Sequence, residues 1–140
     1  MMVDSISAER RSWNMSRIRG RNTGPEMRLR SLLHRAGFRF RLHTKDLPGK
    51  PDIVLPKYHT AIFVHGCFWH RHAGCRNATM PSTRTEFWQN KFDGNVERDR
   101  RNSAALEAAG WTVITVWECD LKADASGIVD RLSSEIRKVD

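Results

Sequence analysis

The spacing of hydrophobic residues predicts a helix near the start of the chain. Thr23 and Glu26 have the spacing of a capping box, and Pro25 is compatible with the first turn of a helix. Gly37 has the conformational freedom that the end of a helix often requires. The residues that would form the apolar face of this helix are Met27, Leu29, Leu32, Leu33 and Ala36.

Four segments have the pattern of strands. Residues 38–42 alternate apolar side chains with arginine, which is typical of a half-buried strand. Residues 52–55 and 60–65 form two further strands, and the nearly continuous apolar or β-branched run 111–117 suits an interior strand. The connecting segments predicted to be turns or irregular loops are 44–51, 56–59 and 66–82.

Three further helices are predicted in the second half of the chain. Thr83 and Glu86 repeat the capping spacing ahead of a short helix, and Asn95 is placed to cap a longer helix that Gly110 ends. The apolar face of a last amphipathic helix consists of Ile128, Val129, Leu132 and Ile136. The order of helix, three strands, two helices, strand and helix defines an α/β domain around a mixed β-sheet.

The charge balance favours a polyanionic partner. Lysine and arginine number 24 against 16 aspartate and glutamate residues, which gives a formal net charge of +8 over 140 residues. Such a surplus suits nucleic acid first and an acidic membrane surface second. No apolar run approaches the roughly 20 residues that cross a bilayer, and residues 1–11 have no apolar segment typical of a secretory signal. We therefore expect one domain, in the reducing cytoplasm.

The first 22 residues form a polar, basic segment that precedes this domain. Aromatic and aliphatic side chains stand between its charges. Two interpretations remain open: a loosely docked tail, or an arm that contacts DNA. The arm residues with the clearest binding chemistry are Trp13, Met15, Arg17 and Arg19. We expect residues 23–140 to form a single domain.

Pro51 and Asp52 begin a strand, and the next strand ends in polar groups. Many nucleases hold a divalent cation in this arrangement, because cleavage of a phosphodiester builds charge on phosphate oxygens that a hard cation neutralises. By spacing alone the signal is weak, since an aspartate after a proline more often only shapes a loop.

A more specific cluster of cysteine and histidine lies in the segment 65–75. Cys67, His72 and Cys75 have short spacings that suit one ion, and Cys119, the remaining cysteine, follows the strand 111–117. Zinc prefers a tetrahedral set of thiolates and imidazoles, so these four residues predict a structural zinc site. The alternative is three unrelated buried thiols, since cysteine is common in cores.

The same segment contains residues without a role in the zinc site. His65 and His70 lie near Asp52 in the predicted order of strands, and a neutral imidazole could act as a general base. A hydrogen-bonded structural histidine is the alternative. Phe68 and Trp69 are adjacent in a loop, where both cannot easily face one core, so insertion between base steps is favoured for them. For Trp88, core packing is the simpler interpretation.

At these residues the chain closely resembles the very-short-patch-repair (Vsr) mismatch endonuclease family over about residues 10–122. The shared motifs include LPGKPD at 47–52, FVHGCFWH at 63–70, TRTEFW at 83–88, NVERDRR at 95–101 and VWEC at 116–119. The resemblance implies the fold of type II restriction enzymes: a mixed β-sheet flanked by helices. It implies an enzyme that nicks DNA beside the thymine of a T:G mismatch, which arises by deamination of 5-methylcytosine.

The resemblance also implies roles for individual residues. Asp52 and the backbone carbonyl of Val64 would bind magnesium, and His70 would act as the base on the attacking water. Glu26, His65 and Asp99 would orient the water and the imidazole. Phe68, Trp69 and Trp88 would intercalate beside the mismatch with help from the arm around Met15. The structural zinc ligands would be Cys67, His72, Cys75 and Cys119.

Two features depart from the family pattern. Val64 stands where a well-known member has threonine, so a carbonyl ligand is retained but a hydroxyl is not. One additional residue separates His72 from Cys75, which leaves His70 as an alternative zinc ligand. The expected partners are T:G-mismatched double-stranded DNA and other mismatch-repair proteins. The expected location is the bacterial nucleoid, and a monomer is the simpler state because a nick needs one active site.

Two other functions remain open at this point. An enzyme of the same fold could cut a fully paired site or a branched structure, which nicking of a T:G duplex and its C:G parent would distinguish. A non-catalytic zinc module that binds DNA through a basic surface predicts no scission with any divalent ion. The sequence argues against the module, because the acids and histidines around Asp52 would then have no shared purpose.

Overall fold

The computed structural model describes residues 23–137. Its strands are β1 (Arg41–Leu42), β2 (Ile53–Leu55), β3 (Thr60–His65) and β4 (Thr112–Trp117), with a short 3-10 helix at Pro56–Tyr58. Its helices are α1 (Gly24–Arg35), α2 (Thr85–Ala108), α3 (Glu118–Ala123) and α4 (Ala125–Arg137). Within residues 23–137, no helix has the length and apolar character needed to cross a membrane.

The strands form one mixed sheet in the order β1-β2-β3-β4, which confirms the predicted α/β class. β2 pairs antiparallel with both β1 and β3, whereas β4 lies parallel to β3. Because a tight turn cannot connect parallel neighbours, α2 forms the crossover between β3 and β4. The register sets His65 beside Trp117 where both strands end. The residues that follow these two strands therefore lie close together.

Helices cover both faces of the sheet, as the alternation of β3 requires. Ile62 packs into a buried cluster with residues of α1 and α4, whereas Ala61 and Phe63 pack against Leu106 of α2. The α1 and α4 side is the larger of the two: its fully buried members include Leu29, Leu33, Leu132 and Ile136. Each such aliphatic side chain contributes about 1.5–3 kcal/mol by burial.

The prediction of two helices in the segment 83–109 is wrong, because α2 is continuous. Asn95, predicted to cap the second helix, is buried in the middle of α2, where its Nδ2 donates to the carbonyl of Trp69 at 3.2 Å. Thr83 does not cap the helix either, since the N-cap is Arg84, with a left-handed φ of 52°. A tertiary hydrogen bond thus overrides the local preference of asparagine for helix ends.

The start of α1 confirms half of the predicted capping box. The side chain of Thr23 accepts a hydrogen bond from the N–H of Glu26 at 3.4 Å. The carboxylate of Glu26 is buried and bonds to Arg30 and His43 instead of completing the box. Met27, predicted on the apolar face, is 50% exposed. Glu26 therefore makes side-chain contacts with Arg30 and His43 and does not cap the helix.

Two other boundaries differ from prediction. The strand predicted over 38–42 shrinks to Arg41–Leu42, because Phe38 and Phe40 pack against the core. At the other end of the chain an additional short helix, α3, precedes the predicted last helix. The chain changes direction at Asp124, whose Oδ1 accepts the N–H of Gly127 in the first turn of α4.

Candidate active site

A cleft of about 550 Å³ opens where β3 and β4 end. Its walls come from the first turn of α1, the start of β2, the end of β3 with the following loop, and one face of α2. All the residues predicted to act in catalysis line it: Glu26, Asp52, Val64, His65, His70 and Asp99. The fold therefore gathers into one cleft residues that are far apart in the chain.

Asp52 immediately precedes β2, and the neighbouring strand orients its carboxylate. The backbone N–H of Val64 donates to Oδ2 at 2.7 Å. Burial raises the pKa of Asp52 to about 6 although this hydrogen bond opposes the shift, and the carboxylate of Glu26 adds a smaller increase. A carboxylate that is costly to ionise without a partner favours binding of a cation.

Glu26 is a second acid beside Asp52, and it is only 1% exposed. Its Oε2 accepts hydrogen bonds from Arg30 at 2.5 Å and from His43 Nε2 at 2.6 Å. One ligand atom from each of Glu26, His43 and Asp52 lies within 4.8 Å of the others. Two acids and a histidine thus converge on one wall of the cleft.

His70 is held by an acid on α2. Its Nδ1 lies 2.6 Å from Oδ2 of Asp99, and both side chains are partly exposed. Because an ionised carboxylate can only accept, Nδ1 carries the proton in the neutral ring and Nε2 keeps its lone pair. This arrangement leaves Nε2 available as a proton acceptor.

His65 stacks on His70, with ring centroids 3.8 Å apart and planes inclined by 3°. Burial lowers the pKa of His65 to about 4, and the proximity of His70 adds to the decrease. The edge of Trp117 contacts His65 from β4 at 5.3 Å. His65 is therefore neutral at physiological pH and restricts the orientation of the His70 ring.

A second cluster lies behind the histidine stack and contains all four predicted zinc ligands. Sγ of Cys67 and Sγ of Cys119 lie 3.6 and 3.3 Å from Nδ1 of His72. In a tetrahedral site, Zn–S and Zn–N bonds of ordinary length separate sulfur from nitrogen by about 3.6 Å. Cys75 completes a set whose ligand atoms lie within 4.8 Å of one another. His72, and not His70, faces the thiols.

The thiols of this cluster differ in acidity. Burial raises the pKa of Cys67 to about 12, whereas the backbone N–H of Asn77 lowers the pKa of Cys75 to about 7. Burial also raises the pKa of Cys119. Because cation binding requires thiolates, these neighbouring thiols would release protons when an ion is bound.

Aromatic side chains form a cluster beside the cleft. Phe68 and Trp69 lie 5.2 Å apart and contact Trp88 at 6.0 Å each. Phe92 is buried beneath them, and Phe87 is 41% exposed. The three residues predicted to intercalate therefore lie together and are partly buried against Phe92. The contacts to Phe92 give them a packing role in addition to any role with DNA.

Arg71 connects this cluster to the loop that follows it. Its guanidinium lies 4.0 Å from the ring centroid of Phe92. The same group donates to the carbonyls of Phe68, Ala78 and Thr79 at 3.0–3.1 Å. Arg71 itself has a left-handed φ of 55°. One side chain thus fixes the loop that holds the aromatic rings.

The predicted arm residues Trp13, Met15, Arg17 and Arg19 lie outside the described residues. Several site residues were not predicted from the sequence: His43, Arg71, Asn95 as a tertiary contact, and Glu118 in the cleft wall. A helical signal existed for Asn95, because Asn95 and Asp99 are four positions apart and share a face of α2. No spacing signal pointed to His43.

A search of solved structures matches the catalytic domain of the homing endonuclease I-Bth0305I, with a TM-score of 0.59 and 19% identity. The match covers 84% of this chain and 98% of that domain. At this identity the likeness concerns the fold. The chain therefore has a restriction-endonuclease-like fold, a mixed sheet flanked by helices.

Sequence comparisons identify the family. The family model for the DNA mismatch endonuclease Vsr matches residues 3–77. The type II nicking enzyme V.XorIIP of Xanthomonas oryzae pv. oryzae is 51% identical over 131 residues, 94% of this chain and 95% of that enzyme. The DNA mismatch endonuclease Vsr of Escherichia coli is 49% identical over 121 residues, 86% of this chain and 77% of that enzyme. The chain belongs to the Vsr DNA mismatch endonuclease family.

Proposed function

We propose that this protein is a strand-specific, magnesium-dependent endonuclease that nicks DNA beside the thymine of a T:G mismatch and so starts very short patch repair. One observation carries the proposal: the loop after β3 brings His70 into the cleft of Asp52 and, in adjacent positions, Phe68 and Trp69 onto the aromatic cluster. The proton acceptor and the aromatic surface for unpaired bases thus share one loop, and that loop faces the cation-binding acid across the cleft.

Asp52 and the carbonyl of Val64 would bind magnesium. Both offer hard oxygen atoms, which magnesium prefers, and both residues line the cleft. The raised pKa of Asp52 supports this role, because a bound cation offsets the cost of ionising a buried carboxylate. When bound, magnesium supplies neutralisation of the charge that develops on phosphate oxygens.

His70 would take a proton from the attacking water at Nε2. Asp99 fixes the tautomer by occupying Nδ1, and the stacked ring of His65 limits rotation. Glu26 would orient water with the oxygen that Arg30 and His43 leave unused. Together these residues would position the water and accept its proton at a defined atom, Nε2 of His70, as hydrolysis of a phosphodiester requires.

Phe68, Trp69 and Trp88 would enter the base stack beside the mismatch, with help from the arm around Met15. Unstacking a step costs a few kcal/mol, and the cost is least for a mispaired base. The contacts among the three rings support a common wedge. Selectivity for T:G would then arise partly from the weakness of the mispaired step.

Cys67, His72, Cys75 and Cys119 would bind one structural zinc ion. The separations of sulfur from nitrogen, 3.3 and 3.6 Å, fit a shared tetrahedral ion. Because His72 stacks on Trp117 at 4.3 Å, and Trp117 contacts His65, the zinc site would support the histidine stack from behind.

The proposed substrate also indicates the location, oligomeric state and partners of the enzyme. T:G mismatches arise by deamination of 5-methylcytosine, so we expect a cytosine methyltransferase in the same cell and a location on the nucleoid. A single active site suffices for a nick, which favours a monomer. Other mismatch-repair proteins would act on the nicked product.

A nicking assay on T:G, C:G and T:A duplexes, with and without magnesium, tests the proposal. We expect a nick in the thymine strand of the T:G duplex that requires magnesium and is absent from the Asp52→Asn variant. A second candidate is a nickase with another DNA target, which the name of V.XorIIP as a type II nicking enzyme favours. Equal nicking of T:G and C:G would support it. No scission with any divalent ion would refute both.

A further inference from the structure

His43 connects the two acids of the cleft through two different groups. Its backbone N–H donates to the carbonyl of Asp52 at 3.3 Å, which extends the pairing of β1 and β2 by one residue. Its side-chain Nε2 donates to Oε2 of Glu26 at 2.6 Å. The residue has a left-handed φ of 49°, so the chain turns sharply to point this ring at α1.

The two oxygen atoms of the Glu26 carboxylate have different surroundings. Oε2 accepts from both His43 and Arg30, and Oε1 makes no hydrogen bond to any residue in the range 23–137. Glu26 also lines the cleft. With Oε2 held by two partners, the carboxylate cannot rotate freely.

A negative charge at Glu26 and another at Asp52 repel each other, since their ligand atoms lie within 4.8 Å. Without a restraint, the Glu26 side chain would lower this repulsion by moving away from Asp52. The hydrogen bond from the His43 ring to Glu26 opposes that movement, because the backbone N–H of His43 is itself hydrogen-bonded to the Asp52 carbonyl.

We propose that His43 is a positioning residue that holds Glu26 beside Asp52 and thereby sets the affinity of the cleft for a divalent cation. The proposal rests on the proposed function only in assigning a cation to Asp52. Polar partners that orient the groups around a metal commonly change affinity 10–100-fold when they are removed.

Asparagine and glutamine at position 43 provide a matched pair of variants. The amide nitrogen of glutamine can take the place of Nε2 and donate to Glu26, whereas that of asparagine is too short and mimics Nδ1. Both residues are polar and uncharged, and asparagine tolerates a positive φ. A comparison of the two therefore isolates the hydrogen bond to Glu26 from the loss of the imidazole.

The experiment measures manganese binding by electron paramagnetic resonance, on the full, zinc-loaded chain without DNA. We expect His43→Asn to weaken binding about 10-fold or more and His43→Gln to stay near wild type. His34→Gln, at an exposed position on α1, controls for loss of a histidine. Subtracting the binding that remains in Asp52→Asn assigns the signal to the cleft.

Equal affinity in wild type and His43→Asn would overturn the proposal. Equal weakening in both position-43 variants would also overturn it, because the imidazole would then be a ligand itself. Absence of any Asp52-dependent manganese binding in wild type would do the same. Since no DNA is present, failure to nick a T:G duplex would refute the proposed function and leave this result standing. In the nicking assay, His43→Asn should raise the magnesium requirement more than it lowers the rate at saturation.

Discussion

Replacing Asp52 with asparagine should remove nicking and, in magnesium-free buffer, make the protein more stable. Asparagine keeps an oxygen that can accept the N–H of Val64, so the change removes mainly the charge. The pKa of Asp52 rises from 3.8 to about 6, mainly through burial. A shift of about two pKa units corresponds to at most about 3 kcal/mol of unfolding free energy at pH 8.

The sign of this effect gives a specific pH dependence. Because the pKa of Asp52 is raised in the folded state, proton binding stabilises the fold. The contribution is fully present below pH 3.8 and is lost as the pH rises through about 6. The difference in unfolding free energy between the asparagine variant and wild type should therefore be largest at pH 8 and fall to about half of that value at pH 5.

Urea unfolding followed by tryptophan fluorescence, at pH 5 and pH 8 with zinc retained, measures this difference. Asp130→Asn, the same change at an exposed position, is the matched control. Added magnesium should then stabilise wild type and not the Asp52 variant, since a ligand stabilises the state that binds it. The reasoning is refuted if wild type is as stable as the variant at pH 8, or if their difference does not change between the two pH values.

Three further predictions concern the other parts of the site. Cys119→Ser should lose about one equivalent of zinc and melt at a lower temperature than wild type. If metal analysis finds unchanged zinc and calorimetry finds an unchanged melting temperature, Cys119 is not a ligand of the cluster. Asp99→Asn should slow nicking by about 10²–10⁴-fold at unchanged duplex affinity. The reason is that the amide can donate to Nδ1 of His70 and favour the tautomer with its proton on Nε2. Activity near that of the exposed control Asp93→Asn would contradict this. Arg71→Ala should reduce the preference for T:G over C:G duplex in binding titrations. Arg71→Lys should not restore it, because a single ammonium nitrogen lacks the planar guanidinium whose two nitrogens reach three carbonyls. Equal losses for both duplexes would indicate a general packing role.

The parts of the fold that sequence reasoning predicted well are those specified by local patterns. The apolar or β-branched runs of β3 and β4 are visible over a few consecutive residues, and both strands were found within one residue of their expected limits. The candidate zinc ligands of the loop were recognisable because cysteine and histidine recur at short spacings. The sequence already favoured His72 over His70, and in the structure the ring of His72 faces the thiols whereas His70 contacts Asp99.

The parts that were missed depend on contacts between distant segments. Asn95 has a strong local preference for a helix end, and only its bond to the Trp69 carbonyl explains its place inside α2. His43 acquires its partners through the pairing of β1 with β2 and the packing of α1, neither of which is visible in its neighbours. The features that could not be predicted from the sequence are therefore mainly hydrogen bonds between polar side chains and distant segments.

The continuity of α2 constrains how the chain can change in length. Trp88 contacts the aromatic cluster and Asp99 contacts His70, and these two positions are about three turns apart on nearly the same face of the helix. One inserted residue between them would rotate one end relative to the other by about 100° and move it by about 1.5 Å. Chains that share this architecture should therefore keep positions 88–99 free of insertions and deletions. The irregular segment 66–82 has no such periodic constraint, and an additional residue between His72 and Cys75 can be accommodated there.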